Sequence, residues 1–181
     1  PPPQMVDHLA AGTIDGFCVG EPWNAAAVTA GLGRTLLSDY EIWNNKPEKV
    51  FGVGASWAEQ YPSTHRALLM ALLEACQWLD DPEHRSEAAE MLSGPDYVDV
   101  PADIIGLSMT GSFKFAAAAP PLPLPDFNVF YRYAANFPWR SHAIWLLTQM
   151  RRWGQVDASV DLRSLAASVY RPDLYREAAG A

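Results

Sequence analysis

Short β-prone runs alternate with helical stretches along this chain, and that alternation restricts its possible folds more than any other feature. Ile14, Phe17, Cys18 and Val19 form a run that stops at Gly20, and Glu21-Pro22 then opens an alanine-rich helix predicted over 22–30. Gly31-Leu32-Gly33 breaks that helix, and 34–37 and 49–53 follow as further short apolar runs. Strands that alternate with helices point to an α/β layout with a mainly parallel sheet. Where such a strand gives way to a helix, unpaired backbone N–H groups and the positive end of the helix dipole face one crevice, which suits a small anion. Gly20 lacks the Cβ that would hold a ligand away from the backbone.

The remaining elements are mostly helical. A helix over 2–11 carries Met5, Val6 and Leu9 on one side and stops at Gly12. Ser63 or Thr64 is expected to cap the most regular helix, in which Leu69, Leu72, Leu73, Cys76 and Leu79 recur at helical spacing. It should end near Asp80-Asp81, read as a solvated cap, because Pro82 disfavours helical geometry in the residue before it. Further helices are expected over 83–92 and 101–107. AAAAPPLPLP, 116–125, reads as an extended polyproline-like connector. Asn136 should cap a helix whose stripe of Trp139, Ala143, Leu146, Met150 and Trp153 faces a core and which ends at Gly154. Short helices over 161–169 and 172–179 close the chain, and no internal repeat occurs. The expected organisation is an α/β part over 1–115, a proline-rich connector over 116–126 and a helical segment over 127–181.

Composition narrows the function. Twenty-one acidic residues against 13 Lys and Arg give a net charge of −8, which argues against nucleic acid or an anionic membrane surface as partner. A small anion remains compatible, because charges beyond a Debye length of about 8–10 Å are largely screened. The sequence holds no apolar run long enough to span a bilayer. It begins with Pro1-Pro2-Pro3 and no initiator Met, which suggests a piece of a longer chain. Cys18 and Cys76 read as buried free thiols.

Catalytic chemistry finds little support. The four histidines, His8, His65, His84 and His142, stand in no metal-binding spacing, and the string Gly52 to Trp57 resembles a nucleophile elbow only superficially. No enzyme activity and no cofactor are expected. Lysine occurs only at 46, 49 and 114, and Lys49 would sit at the rim of its β-prone run, where a long stem can carry an ammonium into a cleft.

PPPQM, DGFCVGEPWN, IWNNKPEKV, WLDDPEHR and above all ANFPWRSHAIWLLTQMRRWGQ together resemble the nitrate and bicarbonate family of ABC-transporter substrate-binding proteins. The resemblance runs nearly end to end. It implies the C-terminal portion of a two-lobed type II periplasmic-binding-protein fold, with the N-terminal half of the same protein lying outside this sequence. It further implies a nitrate, or possible nitrite, ligand held between the lobes and delivered to an ABC permease for nitrogen assimilation. Val19 and Gly20 would line the pocket, Lys49 would supply the positive charge, and Glu21 is expected beside them as a further ligand-binding residue. Lys49 favours nitrate over bicarbonate, although the adjacent Glu48 leaves a bicarbonate-binding component as an alternative. A protein of this kind is expected in the periplasm or anchored to face it. The other alternative is a soluble cytoplasmic nitrate or nitrite sensor that holds an RNA-binding antiterminator. An enzyme of the pyrimidine-synthase type, which shares the broader fold, is disfavoured for want of a catalytic constellation.

Overall fold

The computed structural model describes residues 1–180. Among these residues, α-helices run over Pro2–Ala10 (α1), Trp23–Thr29 (α2), Asp39–Ile42 (α3), Ala55–Gln60 (α4), Pro62–Asp80 (α5), Arg85–Leu92 (α6), Ala102–Met109 (α7), Arg140–Arg152 (α8), Leu162–Val169 (α9) and Pro172–Ala179 (α10). Two short strands, Ser112–Phe113 (β1) and Leu122–Pro123 (β2), pair antiparallel. The chain divides into two compact units, Pro1–Lys46 with Trp78–Phe130, and Pro47–Gln77 with Tyr131–Ala181.

The first unit is built around α6 and α7. Ala89, Val100 and Ile105 are buried there, with Trp23, Leu92, Val98, Ile104 and Met109 packed against them. Because Trp23 belongs to α2, this core anchors the helix that follows Gly20. Small side chains let α2 approach closely, and it buries Ala25, Ala27 and Val28. Local chemistry sets several ends. Ser38 and Glu41 form a reciprocal capping box at α3, with the Ser38 amide donating to Glu41 at 2.8 Å, and Gly12, Gly31 and Gly154 stand at positive φ just past α1, α2 and α8.

Arg85 ties the unit together. It is 3% exposed and donates to the carbonyls of Leu79 at 3.0 Å, Met109 at 3.2 Å and Asn128 at 3.1 Å. Its guanidinium also lies 3.8 Å from Asp80 and 5.2 Å from the centre of the Phe130 ring. Asp80 is therefore no solvated cap: its side chain is 12% exposed and accepts from the Phe130 amide at 3.0 Å. Asp81 caps instead, accepting from the Glu83 amide at 3.0 Å.

The β-prone runs do not become paired strands. Residues 15–20, 34–37 and 47–53 are extended or bent without a ladder, and only the Thr35 amide bonds across, to the Phe115 carbonyl at 2.9 Å. A strand exists only where a neighbour takes up its N–H and C=O groups, and apolar pattern does not supply that neighbour. Leu36 at 73% and Val50 at 70% exposure show the consequence. The proline-rich stretch is likewise not a plain connector. Leu122 and Pro123 pair with β1, and the Leu124 amide bonds to the Gly111 carbonyl at 2.7 Å. Gly111 makes this closure possible: its φ is +71°, and a Cβ there would lie 2.6 Å from the Leu124 carbonyl oxygen.

In the second unit α8 packs on α9, with Asp161 capping α9 through the amides of Arg163 and Ser164. The α8 stripe is only half covered. Ala143 is buried, whereas Trp139 is 43%, Met150 39% and Trp153 73% exposed. Asn136 is not its cap. Trp139 stands at that position, and Asn136 Oδ1 is buried without a partner. Helix α5 begins at Pro62, ahead of Ser63 and Thr64, because Pro suits a first helical position. The thiols are not buried either: Cys18 is exposed and Cys76 half-buried.

Candidate functional site

The turn from Val19 to Ala25 is held by its own side chains. Asn24 Nδ2 donates to the Val19 carbonyl at 2.7 Å, and Glu21 Oε2 accepts from the Ala25 amide at 3.1 Å. The Ala26 amide is taken by the Pro22 carbonyl at 2.9 Å. Two of the four N–H groups at the start of α2, those of Ala25 and Ala26, are thus taken within the turn. The amides of Val19, Gly20 and Glu21 have no hydrogen-bond acceptor among the described residues, and Gly20 is exposed. Three successive N–H groups are therefore left free at an exposed residue without a side chain.

Glu21 faces inward. Burial pushes its carboxyl pKa above the usual 4.5, while hydrogen bonds from the Ala25 amide and the Asn24 side chain pull the other way. Its side chain therefore shapes the turn, and any contact with a ligand comes from its backbone N–H. Asn24 is the residue that sequence reasoning missed. The signal was local: an asparagine five residues after an acceptor carbonyl, across a proline turn, is placed to bond back to it.

Lys49 lies in the other unit, among residues 47–77, whereas Val19, Gly20 and Glu21 belong to the first. Its ammonium is 79% exposed and sits 2.7 Å from Glu48 Oε1. Such an exposed pair is worth only about 0.2–1 kcal/mol, so the lysine can exchange this carboxylate for another anion. Near it in the chain, Phe51 and Trp57 flank His65, with ring centroids 6.0 and 5.9 Å away. Among the described residues no group of three or more His, Cys, Asp or Glu gathers at a distance that would hold a metal ion.

Comparison with known proteins places this geometry in context. The NMT1-like family matches residues 1–93. Over 98% of its length the chain is 46% identical to the nitrate import ATP-binding protein NrtC of Synechocystis, of which it covers 27%. It is 45% identical over 86% of its length to the bicarbonate transport ATP-binding protein CmpC of Synechococcus elongatus, covering 22% of that protein. To the nitrate/nitrite binding protein NrtA of Synechocystis it is 38% identical over its whole length, covering 41% of that protein. The crystal structure of the periplasmic nitrate-binding protein NrtA from Synechocystis superposes with a TM-score of 0.94 at 36% identity, covering 99% of this chain and 47% of that one. The chain thus spans well under half the length of the curated relatives it matches. The superposition bears out the expected fold class: this chain has the fold of part of a periplasmic solute-binding protein, its helices intact where its extended runs stand unpaired.

Proposed function

The chain belongs to the NMT1-like family, and from that premise we propose that it is part of a nitrate-binding component of an ABC transporter. The observation that carries this reading is the superposition, at a TM-score of 0.94, on a periplasmic nitrate-binding protein. In the whole protein the anion, nitrate or nitrite, occupies an interlobe cleft on the periplasmic side and is passed to a permease. Nitrate is planar, singly charged and weakly basic. It is matched by amide donors that fix its orientation and by one cation that neutralises it through charge-assisted bonds of about 2.7–2.9 Å. The amides of Val19, Gly20 and Glu21 in the first unit are donors of that kind, and the exposed ammonium of Lys49 in the second unit is a cation of that kind. Binding is non-catalytic.

Calorimetry on the full-length protein tests this. Nitrate should bind with heat release, and Lys49→Ala should weaken it by at least about tenfold, the equivalent of 1.4 kcal/mol. Unchanged affinity in the variant removes Lys49 from the site, and absence of nitrate or nitrite binding in the wild type removes the ligand assignment.

A second reading is favoured by one observation: identity is higher to the ATP-binding proteins NrtC, 46%, and CmpC, 45%, than to NrtA, 38%. On that reading the chain is the solute-binding-like module of an ATP-binding component, and its anion is nitrate or bicarbonate. No GxxxxGK[ST] phosphate loop occurs within these 181 residues, so the nucleotide site of such a protein would lie elsewhere in the polypeptide. Sequencing the full gene separates the two. A phosphate-loop domain in the same polypeptide selects the second, and a signal peptide or lipid-anchor cysteine selects the first.

A further inference from the structure

In the second unit an open hollow of about 380 Å³ lies between the starts of α8 and α10, lined in part by Phe137, Trp139, Arg140, Ser141, Asp173 and Arg176. The nitrate reading makes no use of it, although it is formed by the FPWRS stretch of the longest run that carries the family resemblance. Its charge is opposite to that of the chain, which is −8 overall. The one carboxylate in the lining, Asp173, is engaged by Arg171 at 2.6 and 2.9 Å. Arg140 and Arg176 have no carboxylate partner among the described residues.

Arg140 is not there to stabilise its helix. It is the first residue of the 13-residue α8, which has no acidic residue in its first turn and no side-chain cap. A cation at the positive end of a helix is unfavourable, and its placement over a cavity points to an external counter-charge. The aromatic residues position the second guanidinium. Phe137 stands edge-on to Trp139 at 4.7 Å and to Tyr175 at 5.3 Å, and the Arg176 guanidinium lies 5.2 Å from the centre of the Phe137 ring. A guanidinium set over a ring keeps its N–H edge free to fork a carboxylate. Trp139, 43% exposed, adds an apolar wall beside the charges.

We propose that this hollow docks an acidic segment of a partner protein, Arg140 and Arg176 each receiving a carboxylate and Trp139 packing on the apolar side chain between them. A chain segment fits better than a small metabolite because pockets for small ligands typically bury about 70–90% of them, and this hollow is open. The proposal is independent of the nitrate reading.

The test is fluorescence anisotropy with the full-length protein and two labelled peptides, one alternating Glu and Leu, the other alternating Lys and Leu. The acidic peptide should bind, more weakly as salt rises from about 0.05 to about 0.3 M, and the basic one should not. The double variant R140E/R176E should lose at least about tenfold in affinity, and Trp139→Phe, which keeps an aromatic ring against Phe137, should weaken binding less than the double variant does. R140E alone should hold or raise the melting temperature, since it puts an anion at the helix start, while it weakens the peptide. No binding of the acidic peptide, equal binding of the basic one, or undiminished binding to the double variant overturns the proposal. Displacement of the peptide by free citrate at equal concentration overturns it in favour of a small-anion site.

Discussion

Replacing Arg85 by Met should cost the first unit about 4 kcal/mol. The side chain is 3% exposed and serves three carbonyls at 3.0–3.2 Å, so its removal leaves three acceptors without their charged donor. A hydrogen bond from a charged donor contributes about 1.5–3 kcal/mol, and the low end applies because relaxed neighbours or water recover part of each loss. Asp80, 3.8 Å from the guanidinium, also loses its counter-charge, although the Phe130 amide remains bonded to it. Arg85→Lys should cost about 2 kcal/mol, because a single ammonium cannot reach carbonyls that leave Leu79, Met109 and Asn128 in three directions. Urea unfolding followed by tryptophan fluorescence measures both, and a loss of about 4 kcal/mol is a large share of the 5–15 kcal/mol typical of a domain. Hydrogen exchange should accelerate most at the Leu124 and Phe130 amides, whose acceptors lie on Gly111, just past the Met109 carbonyl, and on Asp80. A Met variant within about 1 kcal/mol of wild type would refute the view that Arg85 organises this unit.

Other consequences can be measured separately. Asn24→Ala removes the 2.7 Å bond to the Val19 carbonyl and should cost about 1 kcal/mol in stability. It should also weaken nitrate binding by the full-length protein up to about fivefold, and unchanged affinity would show that the turn orients its amides without Asn24. Glu48→Gln releases Lys49 from its 2.7 Å partner and should tighten nitrate about 1.4- to 5-fold by calorimetry, the equivalent of an exposed ion pair. Glu21 has a carboxyl pKa raised by burial, so its folded-state advantage is full when it is protonated and is lost as pH rises from 4.5 through the raised value. Glu21→Gln should therefore gain stability relative to wild type between about pH 4 and about pH 7, and parallel melting curves at both pH values would contradict this. Gly111→Ala should destabilise by more than about 2 kcal/mol, since φ is +71° and the new Cβ would meet the Leu124 carbonyl oxygen at 2.6 Å.

Local information was enough to define the helices. Helices α1, α2, α7, α9 and α10 lie within a residue or two of their expected bounds, because a helix satisfies its own backbone and its stops, such as Gly12, Gly31 and Pro172, act over a few residues. The exposed turn at Gly20 was legible for the same reason. Long-range pairing was not. The runs at 15–20, 34–37 and 47–53 have the composition of strands, but a ladder needs a partner that no pattern within the run can specify. The roles of Asp80, Asn136 and the two cysteines went astray likewise, because whether a polar or sulfur atom is buried depends on what packs over it. In the candidate site, a string of letters could nominate Glu21 and Lys49, yet only the tertiary structure turned the Glu21 carboxylate inward, left three amides free beside it, and put Lys49 in a separate unit against Glu48. Backbone conformation is largely decided by neighbours in sequence, whereas burial, partners and free valences are decided by neighbours in space.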